Sequence, residues 1–97
     1  IATDADDLLP TELELAQNFP NPFNPTTSIS FSLPEKARVR VDIYNLLGQN
    51  VATLADADFT AGNHTLTWDA SGTPSGLYFY RLTAGQTSLT KKMLLLK

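Results

Sequence analysis

A single imidazole, His64, and ten carboxylates are the side chains in this 97-residue chain around which acid–base or metal chemistry would first be sought. Cysteine is absent, which excludes thiolate nucleophiles, disulfide staples and Cys-ligated zinc. His64 has no second imidazole with which to share a metal. A Ser-His-Asp triad would require His64 to meet Asp69 and a serine through space, and the serines fall mostly on wet strand faces and in turns. Asp4, Asp6 and Asp7, like Asp56 and Asp58, offer oxygen ligands of the kind calcium takes, but neither set continues into a full ligand loop. The simpler reading is solvated acids. The five glycines are scattered at turns and make no phosphate-binding loop. Asn63-His64-Thr65 fits the N-glycosylation acceptor pattern, which matters only in a host with that machinery. The sequence therefore predicts no catalytic site, no metal and no cofactor.

The weak net charge of −3 gives no reason to expect a nucleic-acid partner. The distribution of charge is more informative than its sum. Asp4, Asp6, Asp7, Glu12 and Glu14 are half of the ten acids, whereas Ala70–Lys97 contains none and carries Arg81, Lys91, Lys92 and Lys97. No apolar run approaches the roughly 20 residues of a spanning helix; the longest is Met93–Leu96. The chain opens on Ile1 rather than Met, which predicts a module excised or processed from a longer precursor. We expect an acidic linker over residues 1–12 and one domain over 13–97.

The elements that would position these groups read as strands. Leu13 and Leu15 alternate with acids in a short first strand. Gln17 to Pro25 holds three prolines and several amide side chains, which deny ladder donors and favour capped turns, so this segment is stiff and irregular, with Phe19 and Phe23 able to pin it to a core. Beyond it the hydrophobic period is two. Ile29, Phe31 and Leu33 alternate with serines, and Val39, Val41 and Ile43 with Arg38, Arg40 and Asp42, so Asp42 is expected on a wet face. Leu46-Leu47-Gly48-Gln49 is a tight connection. Val51–Leu54 starts a strand that a polar connection, Ala55–Asp58, separates from Phe59. His64, Leu66 and Trp68 alternate with Thr65, Thr67 and Asp69.

Tyr78, Tyr80 and Leu82 share one face of the next strand, with Phe79 and Arg81 on the other. That predicts a central strand covered on both sides, or covered by the proline-rich segment. Gly85-Gln86 turns the chain into a last strand, Thr87–Lys97. The expected fold is an all-β, immunoglobulin-like antiparallel sandwich of about seven strands. Its core residues are Ile29, Phe31, Val41, Ile43, Trp68, Tyr78, Tyr80 and Leu82. Exposure of Trp68, Tyr78 and Tyr80 in one row would instead suit an accessory carbohydrate-binding module of a secreted hydrolase, with a plain spacer as its bland form.

The run Leu15 to Pro34, with Asn18, Pro20, Asn21, Pro22, Phe23, Asn24 and Pro25 at its centre, resembles the opening of the type A C-terminal sorting domain of the bacterial type IX secretion system. Further matching stretches are Val41–Gly48, Ala61–His64 leading into Trp68-Asp69, Ser75–Leu82, and Lys91-Lys92-Met93-Leu94-Leu95-Leu96-Lys97. The resemblance covers about Leu13 to Lys97. It implies an immunoglobulin-like sandwich at the C-terminus of a multidomain exported cargo, read by the outer-membrane translocon. It also implies partners in that translocon, in the sortase machinery and in the N-terminal cargo domains, with cleavage or surface anchoring to follow. The cargo would reach the cell surface or the medium through the periplasm. Lys91 to Lys97 match the recognition region, and we expect Lys92, Leu94, Leu96 and the end carboxylate to form a rigid signal, read by edge pairing with a receptor.

Overall fold

The computed structural model describes residues 12–97, so most of the expected acidic linker, including Asp4, Asp6 and Asp7, lies outside the described residues. Seven strands follow in order: β1 (Glu14–Leu15), β2 (Thr26–Leu33), β3 (Ala37–Tyr44), β4 (Asn50–Phe59), β5 (Gly62–Asp69), β6 (Gly76–Ala84) and β7 (Thr87–Leu95). They form two antiparallel sheets, one ordered β1-β2-β5 and the other β4-β3-β6-β7. Consecutive strands β2 and β3, β4 and β5, and β5 and β6 each lie in different sheets. This is the Greek-key arrangement of an immunoglobulin-like sandwich.

The alternation in each strand decides which side chains meet between the sheets. Leu15, Ile29, Phe31 and Leu33 come from one sheet and Val39, Val41, Ile43, Tyr80, Leu82, Met93 and Leu95 from the other, all buried. Trp68 and Tyr78 close one end of this core with their rings edge to face at 5.7 Å, and Phe23 lies 5.7 Å from Trp68 on its other side. The burial of Trp68, Tyr78 and Tyr80 withdraws these three rings from any exposed row that could stack on a sugar.

Three local expectations change. Asp42 is 3% exposed, although it is in phase with the solvated Arg40. The β3–β4 register shifts between Val41 and Asp42, where an extra residue in β4 lets Asn50 and Thr53 fold over the carboxylate. The second change is in β4, which runs unbroken through the acidic Ala55–Asp58 stretch. There Asp56 faces Arg40 in register and also pairs with Arg38 at 3.1 Å, so an edge strand accommodates the charges without a loop. The third concerns β6, which is central in its sheet and buries Tyr78, Tyr80 and Leu82, but whose other face stays open, with Phe79 half-buried and Arg81 exposed. The proline-rich segment does not cover that face; it lies along the edge of the sandwich.

Candidate functional site

His64 and its neighbours account for one candidate. The ring lies 5.3 Å from Phe31 and 5.0 Å from Phe59, and Nε2 meets the Thr60 carbonyl at 2.8 Å. Asp69 is five residues further along β5, on the opposite face. It accepts from the backbone N–H and hydroxyl of Ser71, which hold its carboxyl below the usual range and cap the loop after β5. His64 is thus a wedge between two phenylalanines and is not aligned with a carboxylate. Asp56 is matched to two arginines. Among the described residues no three metal-ligating side chains stand together.

The residues that do converge are the Asn/Pro segment and the end of the chain. Leaving β1, the backbone continues along β2, with Ala16 N–H donating to Ser30 O and Phe19 exchanging two hydrogen bonds with Ser28. It then crosses from the first sheet to the second. Pro20, Pro22 and Pro25, each preceded by a cis peptide bond, occupy the crossing, where no ladder partner is available for an N–H. At Phe23 the chain pairs again, now parallel to β7. Phe23 N–H donates to Leu94 O and Leu96 N–H donates to Phe23 O, both at 3.0 Å.

Side chains complete this strap. Asn18, 2% exposed, donates through Nδ2 to Pro20 O at 3.1 Å and to Thr27 Oγ1 at 2.9 Å, and the Thr27 hydroxyl donates to Pro20 O at 2.9 Å. The Tyr80 hydroxyl accepts from Asn18 N–H at 2.8 Å and donates to Ala16 O at 2.7 Å. Burial pushes the Tyr80 phenol up to about 12, so it remains a donor across the physiological range. On the β7 side, Gln17 Nε2 donates to Lys92 O at 2.6 Å, and Leu94 N–H donates to Asn21 Oδ1 at 3.0 Å. The Phe23 ring fills the space beside Trp68. By contrast, Phe19 is 79% exposed and Asn24 is solvated.

The terminal run divides by the pleat of β7. Met93 and Leu95 point into the core, and Leu95 is fully buried. Lys92 is exposed, Leu94 half-buried and Leu96 half-exposed on the outer side, while Lys91, in phase with Met93, is only half-buried at the sheet margin. Beyond the strand, Lys97 N–H donates to Ser75 Oγ at 3.0 Å and its Nζ to Ser71 O at 2.6 Å. The edge of β7 from Lys92 to Leu96 is therefore occupied by the strap, and pairing with a receptor strand there would require the strap to leave. The outer side chains, by contrast, are accessible as they stand.

Thr27 is not among the residues the sequence singles out, and Asn18 stands there only as part of the Asn/Pro hallmark, with no partner assigned. Thr27 is in phase with Ile29, Phe31 and Leu33, so a period-two count flags it as a buried polar residue in need of a partner. Nothing in the sequence tells that the partner is Asn18, or that Tyr80 completes the set.

The family model of the secretion system C-terminal sorting domain matches residues 17–96. The chain belongs to this family. It is a family of sorting domains, in line with the type IX resemblance of the Asn/Pro opening. Among solved structures, dimeric latent PorU from Porphyromonas gingivalis superposes with a TM-score of 0.69 at 19% identity, over 88% of this chain and 9% of that one. PorZ, described as an essential bacterial surface component of the type IX secretion system of the same bacterium, superposes with a TM-score of 0.60 at 17% identity, over 99% of this chain and 12% of that one. At these identities the likeness is one of fold, and the sorting domain spans about a tenth of the length of either protein. No curated protein matches the sequence significantly.

Proposed function

We propose that this domain directs a larger cargo, attached ahead of it, across the outer membrane through the type IX secretion machinery, and that it has no catalysis of its own. The observation that carries the reading is that the Asn18–Pro25 segment and the terminal run Lys91–Lys97, the two stretches matched to the hallmark and the recognition region of the sorting domain, are hydrogen-bonded into one structure at one end of the sandwich. A signal must survive the passage of its cargo in a readable form. Fixing the last strand between β6 and the strap keeps Lys92, Leu94 and Leu96 in one geometry and lowers the ordering entropy a receptor would otherwise have to overcome. The partners are then an outer-membrane translocon, a sortase acting on the delivered cargo by cleavage or surface attachment, and the cargo domains. The route runs through the periplasm to the surface or medium.

Burial of Trp68, Tyr78 and Tyr80 weighs against a carbohydrate-binding module, since stacking on a sugar requires exposed ring faces. The test is fractionation of a signal-peptide-bearing fluorescent reporter, alone and fused ahead of residues 1–97, in a bacterium that has the type IX machinery. Surface or medium signal for the fusion alone is the expected result. Retention of both proteins in the periplasm would refute the sorting role.

A further inference from the structure

The connection between β3 and β4 displays two leucines to solvent on a rigid support. Leu46 is 66% and Leu47 82% exposed. The backbone beneath them is closed by Asn45 N–H to Gln49 O and Gly48 N–H to Asn45 O, both at 3.0 Å. The Asn45 side chain reinforces it, accepting from Leu47 N–H at 2.9 Å and Gln49 N–H at 3.0 Å and donating to Gln49 Oε1 at 2.8 Å. Gly48 supplies the left-handed φ of +80° that closes the turn. A loop with this much internal hydrogen bonding cannot fold its leucines back onto the core. Exposed aliphatic side chains held this way lose little freedom on meeting a partner.

The hairpin overhangs a surface depression of about 310 Å³ lined by Tyr44, Asn45, Leu46, Gly48, Phe79 and Arg81. Its floor is the open outer face of β3 and β6, where Tyr44 and Phe79 are paired in register. Arg81 lies over the Tyr44 ring at 4.8 Å and donates to its hydroxyl, and it pairs with no carboxylate among the described residues. Its remaining guanidinium donors are free to take a carboxylate in forked geometry. The next strand continues the cationic side with Lys92 opposite Phe79, and Ala70–Lys97 contains no Asp or Glu. Asp42, opposite Arg81 in the β3–β6 register, is taken up by Arg40, Asn50 and Thr53 and makes no ion pair with Arg81, so the depression combines apolar contact with a guanidinium that no carboxylate among the described residues holds.

We infer that this depression and the Leu46-Leu47 tip are a docking site for a protein segment of the secretion machinery that places an aliphatic or aromatic side chain beside a carboxylate. The inference rests on the sorting reading and extends it. The receptor reads a face of the β4-β3-β6-β7 sheet, because the β7 edge is closed by the strap from Lys92 to Leu96. The leucines supply the apolar contact, and Arg81 supplies the charge that selects an acidic partner.

The test measures export of the reporter fusion carrying residues 1–97, compared with Leu46→Ser/Leu47→Ser and with Arg81→Glu and Arg81→Lys. The leucines are exposed, so the double variant should keep the melting temperature of the parent domain. Loss of two docking anchors should lower export at least about tenfold, the equivalent of 1.4 kcal/mol. Arg81→Glu should lower export by a similar factor, and Arg81→Lys by less. Export of the parent fusion with undiminished export of the leucine variant overturns the docking site and leaves the sorting role standing. Loss with the leucine variant but none with Arg81→Glu overturns the acidic partner. Failure of the parent fusion itself to leave the periplasm overturns the sorting reading and the docking site with it.

Discussion

Replacing Tyr80 by Phe removes one oxygen and tests whether the strap is tied to the second sheet as described. That oxygen accepts from Asn18 N–H at 2.8 Å and donates to Ala16 O at 2.7 Å. The two partners differ in what they lose. Ala16 is exposed, so water replaces the phenol at its carbonyl, whereas Asn18 is 2% exposed and its N–H would be left without an acceptor. An orphaned buried donor costs about 1–3 kcal/mol and an exchanged hydrogen bond about 0.5–1.5 kcal/mol. Part of this is offset because the phenol itself no longer has to be desolvated. The net expectation is a loss of about 2 kcal/mol, which for a domain of this size lowers the melting temperature by about 8–16 °C.

Thermal unfolding followed by circular dichroism measures the shift, and amide exchange at Asn18 should accelerate in parallel. An alkaline series provides an internal control. The folded phenol titrates at about 12, above the ordinary value of 10. Between those values the unfolded chain has released a proton that the folded one still holds, so this contribution is complete below pH 10 and is lost as pH rises toward 12. The parent should therefore lose its advantage over Tyr80→Phe across that window. A melting shift under about 3 °C, well below the ~4–8 °C expected per kcal/mol, together with unchanged exchange at Asn18, would refute the tie.

Phe23→Ala removes a ring that is 2% exposed and packs on Trp68, and should destabilise the domain by about 3–5 kcal/mol. Urea unfolding measures this, and a loss under about 1 kcal/mol would mean the ring is not core in solution. Asp42→Asn should cost about 1–2 kcal/mol at pH 7. Burial alone would raise the Asp42 carboxyl, but hydrogen bonds from Thr53, Arg40 and Asn50 outweigh it, so the folded value lies below the unfolded one. Its stabilisation is present above about pH 4, the unfolded value, and is lost as pH falls through the lower folded value. The gap between parent and variant in urea midpoints should close on acidification, and a gap that does not change from pH 7 to pH 2 would count against this assignment.

Much of the fold was legible because both sheets obey a two-residue period. Ile29-Phe31-Leu33, Val39-Val41-Ile43 and Tyr78-Tyr80-Leu82 each mark an inner face, and Gly48 and Gly85 mark turns where φ is positive. Asp42 was misread because one extra residue in β4 covers a position that the period leaves wet. Asp56 and Asp58 suggested a loop because acids are poor strand formers, and only the register reveals the arginines opposite them. The strap was visible as an irregular, proline-stiffened segment. Its course was not, because Phe23 meets Leu95 across seventy-two residues of chain and Tyr80 meets Asn18 across sixty-two. Hydrophobic patterning reports faces, whereas such pairings are fixed by how the two sheets are closed.

The division of the terminal run also changes how the signal should be tested. Removing Leu95–Lys97 would take away a fully buried core residue and one of the two backbone bonds holding Phe23, so loss of export would confuse signal with fold. The most direct measurement compares surface and medium fractions of the reporter fused to the whole chain with those of a full-length version carrying Lys92→Ser and Leu96→Ser, which keeps the core and both backbone bonds to Phe23. The account predicts that the substituted domain melts within a few degrees of the parent yet leaves its cargo in the periplasm. Equal export of the two versions would contradict a signal built on the outward side chains of the terminal strand.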